Sequence, residues 1–199
     1  MLIAGVMAKA GNTPPWKLPL KARYYVHDVQ RSARRAGIIP SSSSNGSGPS
    51  LTTAVAFPSD FPNMALTTTP LRALLFVKEH HTTDTFEALI DELYRRFYTP
   101  PHQNVSSPDV FETVLRESGM FSAAQVGEIM TAARSDEMRD LLREQTAMVV
   151  DRLGAFGLPW WWVTRKDDNE SQPFWGSDRF WEVCEYLGVP CRDVSVVRL

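Results

Sequence analysis

Cysteine is scarce, with 2 in 199 residues. Two thiols cannot build a disulfide framework or a four-thiolate metal site, and Cys184 and Cys191 do not form a CxxC pair. Long apolar runs are missing too: no stretch approaches the roughly 18 consecutive apolar residues of a membrane-spanning helix. Neither sign of charge dominates. The 21 Lys and Arg against 23 Asp and Glu leave a net charge of −2, which argues against bulk phosphate binding, nucleic acid or a polybasic membrane anchor as partner. GxGxxG, the phosphate-binding P-loop, the GxSxG nucleophile elbow and HExxH are all absent. There are 4 histidines. His27 and His102 have no Cys or His at ligand spacing, and His80-His81 occupy adjacent helical positions that do not share a face, so no metal is expected. These absences leave a soluble globular chain, expected inside the cell.

What is present is 43% hydrophobic residues, 11% aromatics and 22% charged residues, enough apolar material for a real core. The distribution is uneven: five of the six tryptophans lie between positions 160 and 181. The apolar run Met1 to Met7 reads as a buried strand, being too short and too lacking in basic lead-in for a signal peptide. Pro19 to Ala36 reads as a basic helix stopped by Gly37. Ser41 to Ser50 is a flexible, low-complexity segment. The middle is helical. Asp84 and Glu87 suggest a capping box ahead of the stripe Phe86, Leu89, Ile90, Leu93, Phe97. Ser107-Pro108 opens a helix that buries Val110, Phe111, Val114 and Leu115. Ser122 with Gln125 opens another, and a long helix runs from about Asp136 to Leu153, stopped by Gly154. The period then changes. Trp160 to Thr164 reads as a strand, Gln172 to Trp175 as a second with its proline at a start or an edge. A last helix opens at Gly176-Ser177-Asp178, with Phe180, Trp181, Cys184 and Leu187 on one face. Cys184 reads as a core thiol.

Two places could carry chemistry. Leu158-Pro159, just before a strand, is either a plain helix-to-strand turn or a cis proline. The cis form would leave the amide and carbonyl of Leu158 facing a cleft, ready to pair with a peptide-like ligand. Ser177-Asp178 at a helix start is either ordinary capping or a site for an α-amino acid end. Free amides there suit the ligand's carboxylate, and Asp178 suits its ammonium. The tryptophans read first as sheet core and second as the wall of an apolar pocket.

Three segments resemble the kappa class of glutathione transferases, a thioredoxin-fold family related to the disulfide oxidoreductase DsbA and to 2-hydroxychromene-2-carboxylate isomerases. They are Gly5-Val6-Met7 through Gly11-Asn12-Thr13-Pro14-Pro15 to Pro19-Leu20-Lys21-Ala22-Arg23-Tyr24; Gly154-Ala155-Phe156-Gly157-Leu158-Pro159; and Phe174-Trp175-Gly176-Ser177-Asp178-Arg179. The resemblance implies an α/β, thioredoxin-like fold with an inserted all-helical domain. It implies thioredoxin-like residues at 1–16, helical insertion at 17–153 and the second thioredoxin-like part at 154–199. It further implies glutathione as co-substrate, with Asn12, Lys21, Leu158, Ser177 and Asp178 as its binding residues and Pro159 as a structural residue at the site. A small hydrophobic electrophile is the expected second substrate, and a homodimer is open. Lysine would suit the tripeptide's second carboxylate.

One departure bears on activity. The family opens with a strand and a helix whose first turn carries a serine that hydrogen-bonds the glutathione sulfur and favours thiolate. This chain reads as starting at the family's second strand, so the strand–helix unit and its serine have no counterpart, and no catalytic residue is assigned. The expected function is a kappa-like transferase, because Asn12-Thr13-Pro14-Pro15 followed by Lys21 looks more like the kappa class than like the isomerases. Glutathione-dependent isomerisation and an inactive or truncated glutathione-binding remnant are the alternatives. The resemblance points to mitochondria or peroxisomes, where Val197-Arg198-Leu199 echoes a Ser-Lys-Leu signal, with the cytoplasm open.

Overall fold

The computed structural model describes residues 1–35, 58 and 60–190. The Gly37 helix stop, the Ser41–Ser50 segment, Cys191 and the C-terminal tripeptide lie outside the described residues. In chain order the elements are α1 (Ile3–Lys9), α2 (Pro19–Arg35), α3 (Phe61–Met64), α4 (Thr68–His80), α5 (Thr83–Tyr98), α6 (Pro108–Glu117), α7 (Ala123–Arg134), α8 (Asp136–Asp151), β1 (Trp160–Thr164), β2 (Ser171–Trp175) and α9 (Phe180–Tyr186). Short 3-10 turns precede α2 at Pro15–Lys17 and α9 at Ser177–Arg179. Two compact units result, Met1–Leu2 with Ser47–Gln145, and Ile3–Gly46 with Thr146–Leu199.

The first unit is helical. Leu89, Leu93 and Phe97 of α5, Phe111, Val114 and Leu115 of α6, and Val126, Ile129 and Met130 of α7 close one core with Ala73 and Val77 of α4. Each large side chain fully buried there contributes about 1.5–3 kcal/mol. The capping box at Ser122 forms in full: its hydroxyl accepts from Gln125 N, and Gln125 Oε1 accepts from Ser122 N at 2.9 Å. Ser107 stands at the N-cap of α6 with proline next, without a side-chain cap bond. The cap of α5 is Thr82 rather than Asp84. A hydroxyl two residues earlier already satisfies Thr85 N, at 3.2 Å, and Asp84 falls in the first turn, where its charge suits the helix N-terminus.

In the second unit, Val6, Val149 and Ala155 form a small core with Val150, Leu153 and Trp160 against it. The expected strand at residues 1–7 is instead α1. Among the described residues the sheet has only β1 and β2, so a strand there would leave its backbone groups unpaired. A helix pairs them internally and still buries Val6 and Met7. Gly154, with φ +69°, ends the run of α8, as expected of a glycine past a helix.

The two strands pair antiparallel from Trp160↔Trp175 to Thr164↔Ser171. Gly176 N donates to Pro159 O at one end and Arg165 N to Glu170 O at the other. The alternation between them leaves the backbone nitrogen of Pro173, opposite Trp162, facing away from β1. A proline, which has no N–H, fits that edge position. The tip is tied to α9, with Tyr186 OH donating to Glu170 O at 2.9 Å and the Arg165 guanidinium 5.0 Å over the Tyr186 ring.

The tryptophans do not fill a sheet core. Trp160 is half-buried, whereas Trp161, Trp162, Trp175 and Trp181 are 38–50% exposed. A two-stranded ribbon has too little area to cover indoles on both faces. On α9 the buried residues are Val183 and Cys184, while Phe180, Trp181 and Leu187 are exposed. Of the expected apolar face only Cys184 is buried, because this seven-residue helix buries just the narrow stripe Val183–Cys184.

Candidate functional site

All five residues named as glutathione ligands fall within the second unit. The centre is the loop from Gly154 to Pro159, in which the Leu158–Pro159 peptide bond is cis. Its neighbours are pinned. Ala155 is 1% exposed in the small core, and its N–H donates to Val149 O at 2.9 Å. Gly157 lies under the Trp175 indole, where an added Cβ would come 2.8 Å from Nε1. The carbonyl of Pro159 accepts from Gly176 N at 3.1 Å. Leu158 sits between these anchors, half-buried. Among the described residues its amide and carbonyl have no hydrogen-bond partner. A free donor and acceptor side by side on an anchored loop can pair with one residue of an extended peptide, as strand addition does.

The Pro159–Gly176 bond also brings Leu158-Pro159 beside Ser177-Asp178. Gly176, at φ +102°, is the residue before the 3-10 turn. Asp178 folds back so that its Oδ1 lies where a Cβ at 176 would be; that exposed carboxylate could move aside, whereas the positive φ requires glycine. Ser177 does not cap: no side-chain bond closes that turn or the start of α9. Its hydroxyl and the Asp178 carboxylate are exposed. Arg179 Nη1 lies 3.6 Å from Asp178 Oδ2, and its Nε 3.7 Å from Glu182 Oε1. An ion pair this long and this exposed binds weakly, which leaves Asp178 available to an incoming ammonium.

Asn12 reaches the same loop: its Nδ2 donates to Phe156 O at 3.1 Å. Lys21, exposed in the first turn of α2, is not joined to the other four by any bond or ion pair among the described residues. Hydrogen bonds thus tie Asn12 and the Gly176–Asp178 segment to the loop that carries Leu158, and none among the described residues ties Lys21 to it. Phe156, Gly157, Trp175 and Gly176 belong to the same assembly, and sequence reasoning did not assign them roles. The one signal for them is that each stands inside or beside the two motif segments. The ring of Phe156 packs 5.2 Å from Trp160 and 4.9 Å from Trp175. Among the described residues no cluster of three His, Cys, Asp or Glu could hold a metal, and no helix is long and apolar enough to cross a membrane.

The unit that carries the site is a small helix–hairpin–helix assembly with a cis-proline loop. The family model of the DSBA-like thioredoxin domain matches residues 1–188, and the chain belongs to that family. The fold class expected above, α/β and thioredoxin-like with inserted helices, agrees with it. Among curated relatives, glutathione S-transferase kappa 2 of Caenorhabditis elegans is 27% identical over 190 residues, 94% of this chain and 76% of the relative. Human glutathione S-transferase kappa 1 is 27% identical over 191 residues, 94% and 75% of the two chains. The kappa 1 protein of Rattus norvegicus is 24% identical over 188 residues, 94% and 74%.

Proposed function

We propose that this protein is a kappa-like glutathione transferase, binding glutathione at the Leu158 loop and conjugating it to small hydrophobic electrophiles. The observation that carries the reading is the unpaired amide and carbonyl of Leu158 on an anchored cis-proline loop, set beside Ser177 and Asp178 through the Gly176–Pro159 hydrogen bond. The names of the relatives, glutathione S-transferase kappa, point the same way.

The chemistry divides between the two places. Leu158 pairs with the peptide backbone of the cysteinyl residue, while Asp178 receives the α-ammonium of the γ-glutamyl end and Ser177 its carboxylate. Holding the γ-glutamyl end and the cysteinyl backbone fixes the sulfur in place for an electrophile, so that part of the barrier is removed by orientation. In the reaction the thiol proton leaves to solvent, and the thiolate forms a carbon–sulfur bond as the leaving group departs with its electron pair. No side chain of this chain is assigned the thiol-activating role.

Calorimetric titration with glutathione, followed by conjugation to a chlorinated nitroaromatic, tests the reading. Binding with turnover supports it. Binding without turnover replaces it with a glutathione-binding role, and no binding overturns it. Asp178→Ala is expected to weaken binding by about 1–3 kcal/mol, the range for losing a charged hydrogen bond. Unchanged affinity in a folded variant removes Asp178 from the site.

A further inference from the structure

We propose that Trp161 is a positioning residue of the site: its indole braces the turn at Ser177–Arg179 and so holds Ser177 and Asp178 where the γ-glutamyl end is received. The consequence for binding rests on the glutathione reading above; the brace itself does not. Trp161 stands opposite Phe174 in the β1–β2 register, so the two side chains share one face of the ribbon. Both ends of α9 meet that face. The rings of Phe174 and Tyr186 are 5.6 Å apart, and those of Trp161 and Phe180 are 6.1 Å apart. The same indole reaches the residue before the turn, where Nε1 donates to Gly176 O at 3.3 Å. Trp161 therefore touches the chain on either side of Ser177–Arg179, at Gly176 and at Phe180.

The turn has little else to hold it. No side chain caps it or the helix that follows. The ion pairs of Arg179 with Asp178 and Glu182 are long, at 3.6 and 3.7 Å, and exposed, which makes them weak. Among the described residues the indole bond is the one side-chain hydrogen bond that another element sends to residues 176–179. Gly176, at φ +102°, has more backbone freedom than any other residue would have there. Its N–H is tied to Pro159 O at 3.1 Å and its carbonyl to the indole, so that freedom is removed and the peptide plane leading into Ser177 is set. The indole is also 38% exposed, so direct contact with the ligand and plain packing of α9 on the hairpin are the rival explanations to be separated.

Trp161→Phe separates them. It keeps a ring against Phe180 and removes the donor to Gly176; far-UV circular dichroism checks that the variant is folded. Its affinity for glutathione is expected to fall about 5- to 10-fold, the effect of one lost hydrogen bond. N-acetylcysteinylglycine, which lacks the γ-glutamyl residue, is expected to bind both proteins equally. Unchanged glutathione affinity overturns the proposal. So does an equal loss with both peptides, which assigns Trp161 to the packing of the whole unit. In an Asp178→Ala background the same substitution is expected to change glutathione affinity much less, because the group it positions is gone. Losses that add in full identify a direct contact between indole and ligand and also overturn it. The brace is read without ligand. The Trp161 indole proton is expected to exchange with solvent more slowly than that of exposed Trp162, whose indole has no partner among the described residues, and equal rates remove the brace. A wild-type protein that binds neither peptide defeats the glutathione reading itself, an outcome told apart from the others because the indole exchange is measured on the ligand-free protein.

Discussion

Gly157 and Gly176 flank the same loop but need to be glycine for different reasons. Gly176 adopts a backbone conformation that side chains avoid, at φ +102°. Gly157 has an ordinary backbone, and its requirement is space, because the Trp175 indole occupies the position of a side chain. A methyl group at 157 would push that indole aside, and the indole in turn packs on Phe156. Gly157→Ala is expected to cost about 1–2 kcal/mol, the usual range for overpacking, and to shift tryptophan emission. The cause can be isolated in a double-mutant cycle. In a Trp175→Ala background the indole is gone, and the same substitution is expected to be near neutral by denaturant titration. An equal cost in both backgrounds would show that the 157 backbone, not the indole, sets the requirement.

Elements with a local chemical signal were legible in sequence. Ser122 with Gln125 announced α7, Ser107-Pro108 announced α6, and the aromatic, β-branched run from Trp160 announced β1; each signal acts within a few residues of itself. α1 was not legible as a helix because a seven-residue apolar run carries no period that separates strand from helix, and among the described residues no strand stands as its ladder partner. The same limit applies to the site. Leu158-Pro159 and Ser177-Asp178 stood out as short motifs, whereas the Asn12–Phe156 bond spans 144 residues and has no local trace. Contacts between helices are equally silent. Glu92 of α5 accepts from Arg95 Nε at 2.7 Å and Arg96 Nε at 2.7 Å, and Arg96 Nη1 goes on to Glu117 Oε2 of α6 at 2.7 Å. The hydrogen bond from Arg95, joined by those from Arg96 and by both positive charges, lowers the Glu92 pKa to about 2. A carboxyl lowered on folding stabilises the native state at pH values above its unfolded pKa, about 4.3, and loses that contribution as pH falls towards 2. Glu92→Gln is therefore expected to be less stable at pH 7, by on the order of 1–3 kcal/mol after allowance for solvent screening. The gap should close between about pH 4.3 and 2. Urea titrations of both proteins across that range check it, and a gap independent of pH would assign the loss to packing instead.

The two units differ in how they are held. The helical unit closes over a core running from Ala73 to Ala133 that includes Phe111, Leu89, Leu115 and Ile129, all fully buried. The unit carrying the site rests on Val6, Val149 and Ala155 with partly buried neighbours, and it exposes Trp162, Trp175, Phe180 and Trp181. Apolar burial scales with stability, so the site-bearing unit should open at lower denaturant than the helical one. The positions of the tryptophans make this measurable without a label. Trp16, Trp160, Trp161, Trp162, Trp175 and Trp181 all fall in the site-bearing unit. Helices α4 to α7 belong to the other. Tryptophan emission therefore reports one unit, while far-UV circular dichroism is weighted towards the other. In a urea titration the emission midpoint is expected to precede the dichroism midpoint, and the two curves should not superimpose. Glutathione binding at the Leu158 loop would move the emission curve to higher urea first, since a ligand stabilises the state that binds it. Coincident curves that shift together would mean that the chain unfolds as one cooperative body, and the weak core around Ala155 would then owe its stability to the helical unit.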